Sequence, residues 1–293
     1  MVVCEMGEVI DGKALADEVL AEVKAEVEEL RREYGIVAQL AVILVGEDPA
    51  SKTYVRNKVK ACEKTGVTSK EYYLPADTPQ QKLLDLVEEL NMDKRVHGIL
   101  VQLPLPKQID PAAVIDSIDP EKDVDCFQPF NIGRVALKRP VFMPATPGGI
   151  MEMLRRKNVP LEGKLAVVVG ASNIVGKPLS LALMNEHATV IVCNKHTPDL
   201  KKMVLKGDLV FVAVGKPNLI TADMIKPGAV VVDVGINRIQ QDGKEKIVGD
   251  VDFEAVKEKA SLITPVPGGV GPMTVAILLK NTALAAHNSL KRK

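Results

Sequence analysis

The chain has no tryptophan, and aromatic residues make up only 3% of its 293 residues. Its core must therefore be built from Val, Ile, Leu, Ala and Met. Cys4, Cys62, Cys126 and Cys193 are scattered, with no CxxC pair among them. They read as reduced thiols of a cytoplasmic protein, not as a disulfide frame or a zinc site. An excess of charge of either sign is also lacking: Lys plus Arg is 38 and Asp plus Glu is 38. That balance supports neither a nucleic-acid partner nor an anionic membrane partner. The longest apolar runs are strand-sized, far short of the roughly 18 residues of a membrane span. Met1 to Gly12 carry acids without a basic cluster, the wrong pattern for a targeting segment. The four histidines, at 97, 187, 196 and 287, form no HxxxH or His–carboxylate group, so no metal is expected.

What is present is the balance of a soluble globular protein, 46% hydrophobic and 26% charged, with room for two domains. Apolar strands alternate with helical patterns, the signature of parallel βαβ units. An amphipathic helix is expected over Lys13–Tyr34, where Leu15, Val19, Val23, Val27 and Leu30 recur at helical spacing. Strands at Gln39–Val45, Ser69–Leu74 and Gly98–Val101 alternate with helices from about Ala50 to Thr65, ended by Gly66, and from Pro79 through Leu90. The proline-rich stretch Asp119–Pro147 reads as a loop system and domain boundary. Further strands are expected at Leu165–Val169, Thr189–Cys193, Leu209–Val214, Val230–Val234 and Leu262–Ile263. Helices are expected at Lys177–Glu186 and Met273–Asn288.

The turn Gly170-Ala-Ser-Asn-Ile-Val-Gly176, between a strand and a helix, is either a structural βα turn or a pyrophosphate cradle. It departs from GxGxxG in having Ser172 where the second glycine would stand. The next strand ends in Cys193-Asn194-Lys195-His196-Thr197, with bases and no acid. Either this is a solvated basic loop, or it selects a 2′-phosphate and hence NADP over NAD; the second reading is preferred. Tyr54 and Lys58, at i and i+4, share one helix face, as ordinary surface residues or as part of a site. Gln102 lies just past the carboxyl end of a buried strand, where open α/β sheets bind ligands or merely end in a polar residue. Asp123 and Asp125 are either turn formers or ligands.

The stretches SKTYVRNKVKACEKTG, HGILVQLPLP, EKDVD followed by NIGR, GASNIVGKPLS, DVGIN and TPVPGGVGPMT extend from Ser51 to Thr274. In them the chain resembles the bifunctional methylenetetrahydrofolate dehydrogenase/methenyltetrahydrofolate cyclohydrolase family. The resemblance implies a two-domain α/β fold. A catalytic folate-binding domain would cover 1–145, completed by a C-terminal helix, 272–293, packing back onto it. A Rossmann-like NADP domain would cover 146–271, with a cleft between the two. It further implies a cytoplasmic homodimer acting on tetrahydrofolate one-carbon derivatives. Hydride would leave 5,10-methylenetetrahydrofolate for NADP, and water would open the methenyl product to 10-formyltetrahydrofolate.

By the same resemblance Lys58 is the catalytic lysine and Gln102 orients it. Tyr54 stacks on the folate, and Asp125 reads the pterin edge. Gly170, Ala171 and Ser172 lie on the cofactor turn. Ile236 meets the nicotinamide side, and Thr146 and Thr274 lie near nicotinamide and folate. Three residues depart from the family pattern. Ala171 replaces a frequent arginine, which leaves the 2′-phosphate to Lys195, with Thr197 in the same loop. Ala145 replaces a cysteine. Cys126 replaces glycine beside Asp125, at a cost of order 1 kcal/mol if φ is positive there. Three other readings are a dehydrogenase without the hydrolytic step, a different two-domain NADP dehydrogenase acting on an amino acid or shikimate-like acid, and a non-catalytic folate- or nucleotide-binding homologue. Retention of both Lys58 and Gln102 argues against the first. The second has no need of VQLPLP and PVPGGVGP, and only Cys126 points to the third.

Overall fold

The computed structural model describes residues 7–241 and 244–292, so Cys4 lies outside the described residues. In chain order the elements are β1 (Glu8–Val9), α1 (Gly12–Tyr34), β2 (Gln39–Val45), α2 (Pro49–Thr65), β3 (Thr68–Leu74), α3 (Gln80–Met92), β4 (Gly98–Val101), α4 (Pro111–Ser117), α5 (Pro129–Ala136) and α6 (Ala145–Arg156). They continue with β5 (Leu165–Val169), α7 (Gly176–Asn185), β6 (Thr189–Cys193), α8 (Leu200–Val204), β7 (Leu209–Val212), β8 (Val230–Asp233), β9 (Asn237–Gln241), β10 (Lys244–Val248), α9 (Phe253–Lys257), β11 (Leu262–Ile263) and α10 (Val270–Asn288). The chain divides into two compact units. The first takes in Asp17–Ala145 and Val275–Lys293, the second Met1–Ala16 and Thr146–Thr274.

In the first unit a parallel three-stranded sheet runs β3-β2-β4. β2 is central and buried along nearly its whole length, which is why it reads as a continuous apolar run. Ala41, Ile43 and Val45 on one face of β2 pack with Leu83, Val87 and Leu90 of α3 and with Ile99 and Val101 of β4. Each large side chain buried there contributes about 1.5–3 kcal/mol. α2 starts at an Asp48 cap whose carboxylate accepts from Ser51 N at 2.7 Å, and it stops at Gly66 with φ +75°.

The second unit holds a parallel six-stranded sheet in the order β1-β11-β8-β7-β5-β6. Val167, Val169, Val210, Val212, Val231 and Ile263 fill its main core. The domain division expected from the sequence gave residues 1–145 to one domain. Instead, β1 pairs with β11, Glu8 opposite Leu262, and the chain up to Ala16 falls with the second unit. The expected aliphatic core is present with two additions: Phe142 and Phe211 are among its largest fully buried side chains.

Asp119–Pro147 is less irregular than its prolines suggested. Pro129 opens α5 behind a Gln128 cap that accepts from Phe130 N at 2.6 Å, and Pro147 sits in the first turn of α6. Proline is tolerated at such positions because the first N–H groups of a helix have no intrahelical partner. Among the described residues no helix is long and apolar enough to cross a membrane, and no group of three or more potential metal ligands forms.

Candidate active site

In the first unit the chain leaves β2 for β3 on one side and returns to β4 on the other. That reversal places the carboxyl ends of β2 and β4 side by side, where open α/β sheets bind ligands. α2, the connection leaving β2, carries Tyr54 and Lys58. Gln102 directly follows β4, and Asp125 lies two residues past a bridge from Asp123 to Ile99 of β4. The structure thus brings Lys58, Gln102 and Asp125 together from three separate stretches.

Lys58 is only 9% exposed, and its Nζ donates to Gln102 Oε1 at 3.1 Å. The amide is oriented for this, because Gln102 Nε2 donates to the Leu103 carbonyl at 2.7 Å and leaves the oxygen facing the lysine. Burial holds the Lys58 pKa below the usual lysine range, while the Asp125 charge pulls it back up. Burial also pushes the Asp125 carboxyl above the usual carboxylate range, and Lys58 partly offsets that. Desolvation is the larger cause for both, so each is driven toward its neutral form. Such a pair is suited to exchanging a proton with something bound beside it. Tyr54, one turn before Lys58 on α2, is 38% exposed.

The two neighbouring acids have different jobs. Asp123 is 1% exposed and accepts from Phe127 N at 3.2 Å, Gln128 N at 2.9 Å and Asn131 Nδ2 at 2.9 Å. It holds the loop. Among the described residues the Asp125 carboxylate accepts no hydrogen bond, which leaves it available to a ligand. Between them, the Val124 carbonyl accepts from Asn281 Nδ2 of α10 at 2.8 Å; the same nitrogen reaches the Met143 carbonyl at 2.8 Å.

Cys126 does adopt the left-handed backbone, φ +60°, and its fully buried thiol donates to the Phe142 carbonyl at 3.4 Å. The left-handed conformation costs a non-glycine residue about 1 kcal/mol, and more for a β-branched one. Cys126→Val is therefore expected to lower stability by at least about 2 kcal/mol. Cys126→Gly, which trades backbone relief against lost burial, should stay within about 1 kcal/mol of the parent. Urea midpoints decide: a Val variant as stable as the parent means the loop tolerates that conformation at no cost.

In the second unit the chain reverses between β5 and β7, and the expected glycine turn follows β5. Gly170 has φ +118°, and a Cβ there would overlap the Ala213 carbonyl oxygen. A Cβ on Gly176 would overlap the Gly170 carbonyl. Ser172, standing where a glycine was expected, serves as a cap: its Oγ accepts from Val175 N at 3.2 Å and Gly176 N at 3.4 Å. Among the described residues the backbone N–H groups of Ala171, Ser172, Asn173 and Ile174 find no acceptor within the protein. They sit at the head of α7, where unsatisfied donors and the helix dipole favour an anion.

After β6 the loop is tied by Asn194 N donating to Thr197 Oγ1 at 2.8 Å and His196 N donating to Asn194 Oδ1 at 2.9 Å. Thr197 is thus committed to the turn, while Lys195 and His196 are exposed. Ile236, following β8, is 45% exposed. Thr146 and Thr274 meet each other, Oγ1 to Oγ1 at 3.1 Å. Two buried acids behind these loops, Asp233 and Asp250, escaped the sequence reading, as did Asn281. Asp233 left two traces in the sequence, as the acid that closes the apolar run Val230–Val232 and as the first residue of DVGIN, but neither marks it as buried.

The two units define a class: a two-domain α/β chain with a dinucleotide-type sheet in one unit and a lysine–amide–carboxylate set in the other. Two family models match it. The tetrahydrofolate dehydrogenase/cyclohydrolase catalytic domain covers residues 10–125, and the NAD(P)-binding domain of the same family covers 144–290. The chain belongs to the tetrahydrofolate dehydrogenase/cyclohydrolase family. It is 56% identical over 280 residues to the bifunctional protein FolD of Moorella thermoacetica, spanning 96% of this chain and 99% of that one. It is similar to the crystal structure of the bifunctional enzyme FolD, methylenetetrahydrofolate dehydrogenase/cyclohydrolase, from Campylobacter jejuni. The TM-score there is 0.93 at 51% identity, covering 96% of this chain and 98% of the other. The Trypanosoma brucei methylenetetrahydrofolate dehydrogenase-cyclohydrolase, complexed with NADP cofactor and an inhibitor, gives a TM-score of 0.95 at 41% identity, with 98% and 99% covered.

Proposed function

We propose that the chain oxidises 5,10-methylenetetrahydrofolate with NADP and hydrolyses the 5,10-methenyl product to 10-formyltetrahydrofolate. The observation that carries this reading is the buried Lys58, bonded to Gln102 and facing Asp125. Asp125 binds the pterin edge by charge-assisted hydrogen bonds, and Tyr54 stacks on the folate. Lys58, its pKa lowered by burial, moves the proton in the hydrolytic step, and Gln102 keeps its Nζ aimed.

NADP suits the second unit because the free N–H groups of residues 171–174 offer donors for its pyrophosphate. When bound, NADP supplies the hydride acceptor. Gly170, Ala171 and Ser172 hold its phosphates. Lys195, with Thr197 shaping its loop, would hold the 2′-phosphate, and Ile236 and Thr146 would hold the nicotinamide end. Thr274, bonded to Thr146, is assigned to substrate binding. The folate-binding domain is the first unit and the NADP domain the second.

The test is a spectrophotometric time course with methylenetetrahydrofolate, run with NADP and with NAD. NADPH formation without lasting methenyl accumulation is expected; accumulating methenyl leaves a dehydrogenase alone, and no signal leaves a binding protein. Lys195→Ala is expected to raise KM for NADP about 10- to 100-fold, the worth of one charge-assisted hydrogen bond, while leaving KM for NAD unchanged. Equal losses with both cofactors would remove Lys195 from the 2′-phosphate.

A cytoplasmic homodimer completes the reading. β3 is an edge strand with Tyr73 63% exposed, a surface a second copy would cover. Sedimentation at micromolar concentration distinguishes dimer from monomer. The free, buried state of Cys62, Cys126 and Cys193 fits a reducing compartment.

A further inference from the structure

Asp250 is fully buried, and among the described residues of the second unit it is the most heavily bonded carboxylate. Its Oδ2 accepts from Val214 N at 2.6 Å and Gly215 N at 2.9 Å. Its Oδ1 accepts from Lys216 N and from Asn237 Nδ2, both at 2.8 Å. Three consecutive backbone amides and one side-chain amide therefore converge on one negative charge, an arrangement that fixes the backbone path strongly.

The segments it fixes matter. Val214–Lys216 continues from β7, the strand beside β5 at the reversal point, and Gly170 of the glycine turn lies against the Ala213 carbonyl. Asn237 is the residue after Ile236. One carboxylate thus sets the loop beside the glycine turn and the loop that carries Ile236.

Asp250 is held in turn from behind. Asp233, 3% exposed, accepts from Gly235 N at 2.9 Å, Asp250 N at 3.0 Å and Val251 N at 2.9 Å. Asp233 N donates to Thr264 Oγ1 at 2.8 Å. All of these residues belong to the second unit.

We propose that Asp250 is a positioning residue for hydride transfer alone: it shapes the two loops against which the nicotinamide half of NADP lies and has no part in hydrolysis. This rests on the assignment of NADP to the second unit.

Asp250→Asn keeps the shape but turns one oxygen into an NH2 group facing N–H donors. KM for NADP should rise at least tenfold and the dehydrogenase kcat fall at least tenfold. Hydrolysis of added methenyltetrahydrofolate should stay within twofold of the parent. Asn237→Ala removes one of the four bonds and should raise KM for NADP three- to tenfold, again with hydrolysis unchanged. Dehydrogenase kinetics equal to the parent's in Asp250→Asn, or a proportional fall of both activities, overturns the proposal. If Asp250→Asn does not fold, Asn237→Ala decides: an effect on dehydrogenation alone supports the role, and parental kinetics or a proportional fall overturns it. Calorimetric titration of the parent chain with NADP separates the two readings. A parent that does not bind NADP defeats the cofactor assignment itself, whereas a binding parent with an indifferent variant defeats only the role of Asp250.

Discussion

Lys58→Met is expected to lower the hydrolysis of methenyltetrahydrofolate by 10²- to 10⁴-fold, the usual contribution of a positioned general acid or base. Methionine has about the length and volume of the lysine stem, so Gln102 and the wall of α2 keep their places. The variant also loses a charge whose burial is unfavourable, as its lowered pKa records. The gain is set against the loss of the charge that offsets the burial of Asp125, so thermal stability should stay near the parent's while activity falls, a combination that unfolding cannot mimic. NADP binding, which uses the other unit, should be unchanged by calorimetry. Loss of cofactor binding with hydrolysis intact would reverse the assignment of the two units.

The complementary prediction concerns Gly176. An added methyl group there meets the backbone carbonyl of Gly170, not the yielding end of a side chain. The turn or the head of α7 must move to accommodate it. Overpacking of this kind costs about 1–3 kcal/mol, and here the displaced atoms carry the free N–H groups. Gly176→Ala is expected to reduce NADP-dependent oxidation about 100-fold, with hydrolysis kept to at least half. Initial rates of both reactions on one preparation check this. A variant that oxidises at the parental rate would mean the turn is a structural βα connection after all.

The parallel strands were legible because they are buried on both faces and read as unbroken apolar runs, β2 and β5 most plainly. The glycine turn and the end of β6 were legible as positions, since each follows directly from a strand. Lys58, Gln102 and Asp125 were not legible as a set. They lie 44 and 23 residues apart along the chain and meet only because β2 and β4 are neighbours in the sheet. α4 and α5 were missed because a proline at a helix start looks like a breaker until the cap before it is recognised. β1 was missed because two residues carry no period, and the hairpin of β9 and β10 because polar residues dominate it. Asp233 and Asp250 were invisible because nothing in sequence separates a buried acid that organises backbone amides from a solvated one. The roles given to these residues come from the resemblance, residue by residue, and not from periodicity.

The division of the chain into its units has a consequence for how the molecule is made. The unit boundaries fall between Ala16 and Asp17, inside α1, and between Thr274 and Val275, inside α10, as well as between Ala145 and Thr146. Neither unit is a contiguous stretch of the gene. On the ribosome the three strands of the first sheet emerge early, but that unit is incomplete until residues 275–293, which follow the whole 146–274 stretch of the second unit, have left the exit tunnel. Cutting the coding sequence between residues 145 and 146 would yield two fragments, each missing a piece that the other carries. The enzyme is thus inherited, synthesised and lost as one object, however separable its two reactions are at the bench.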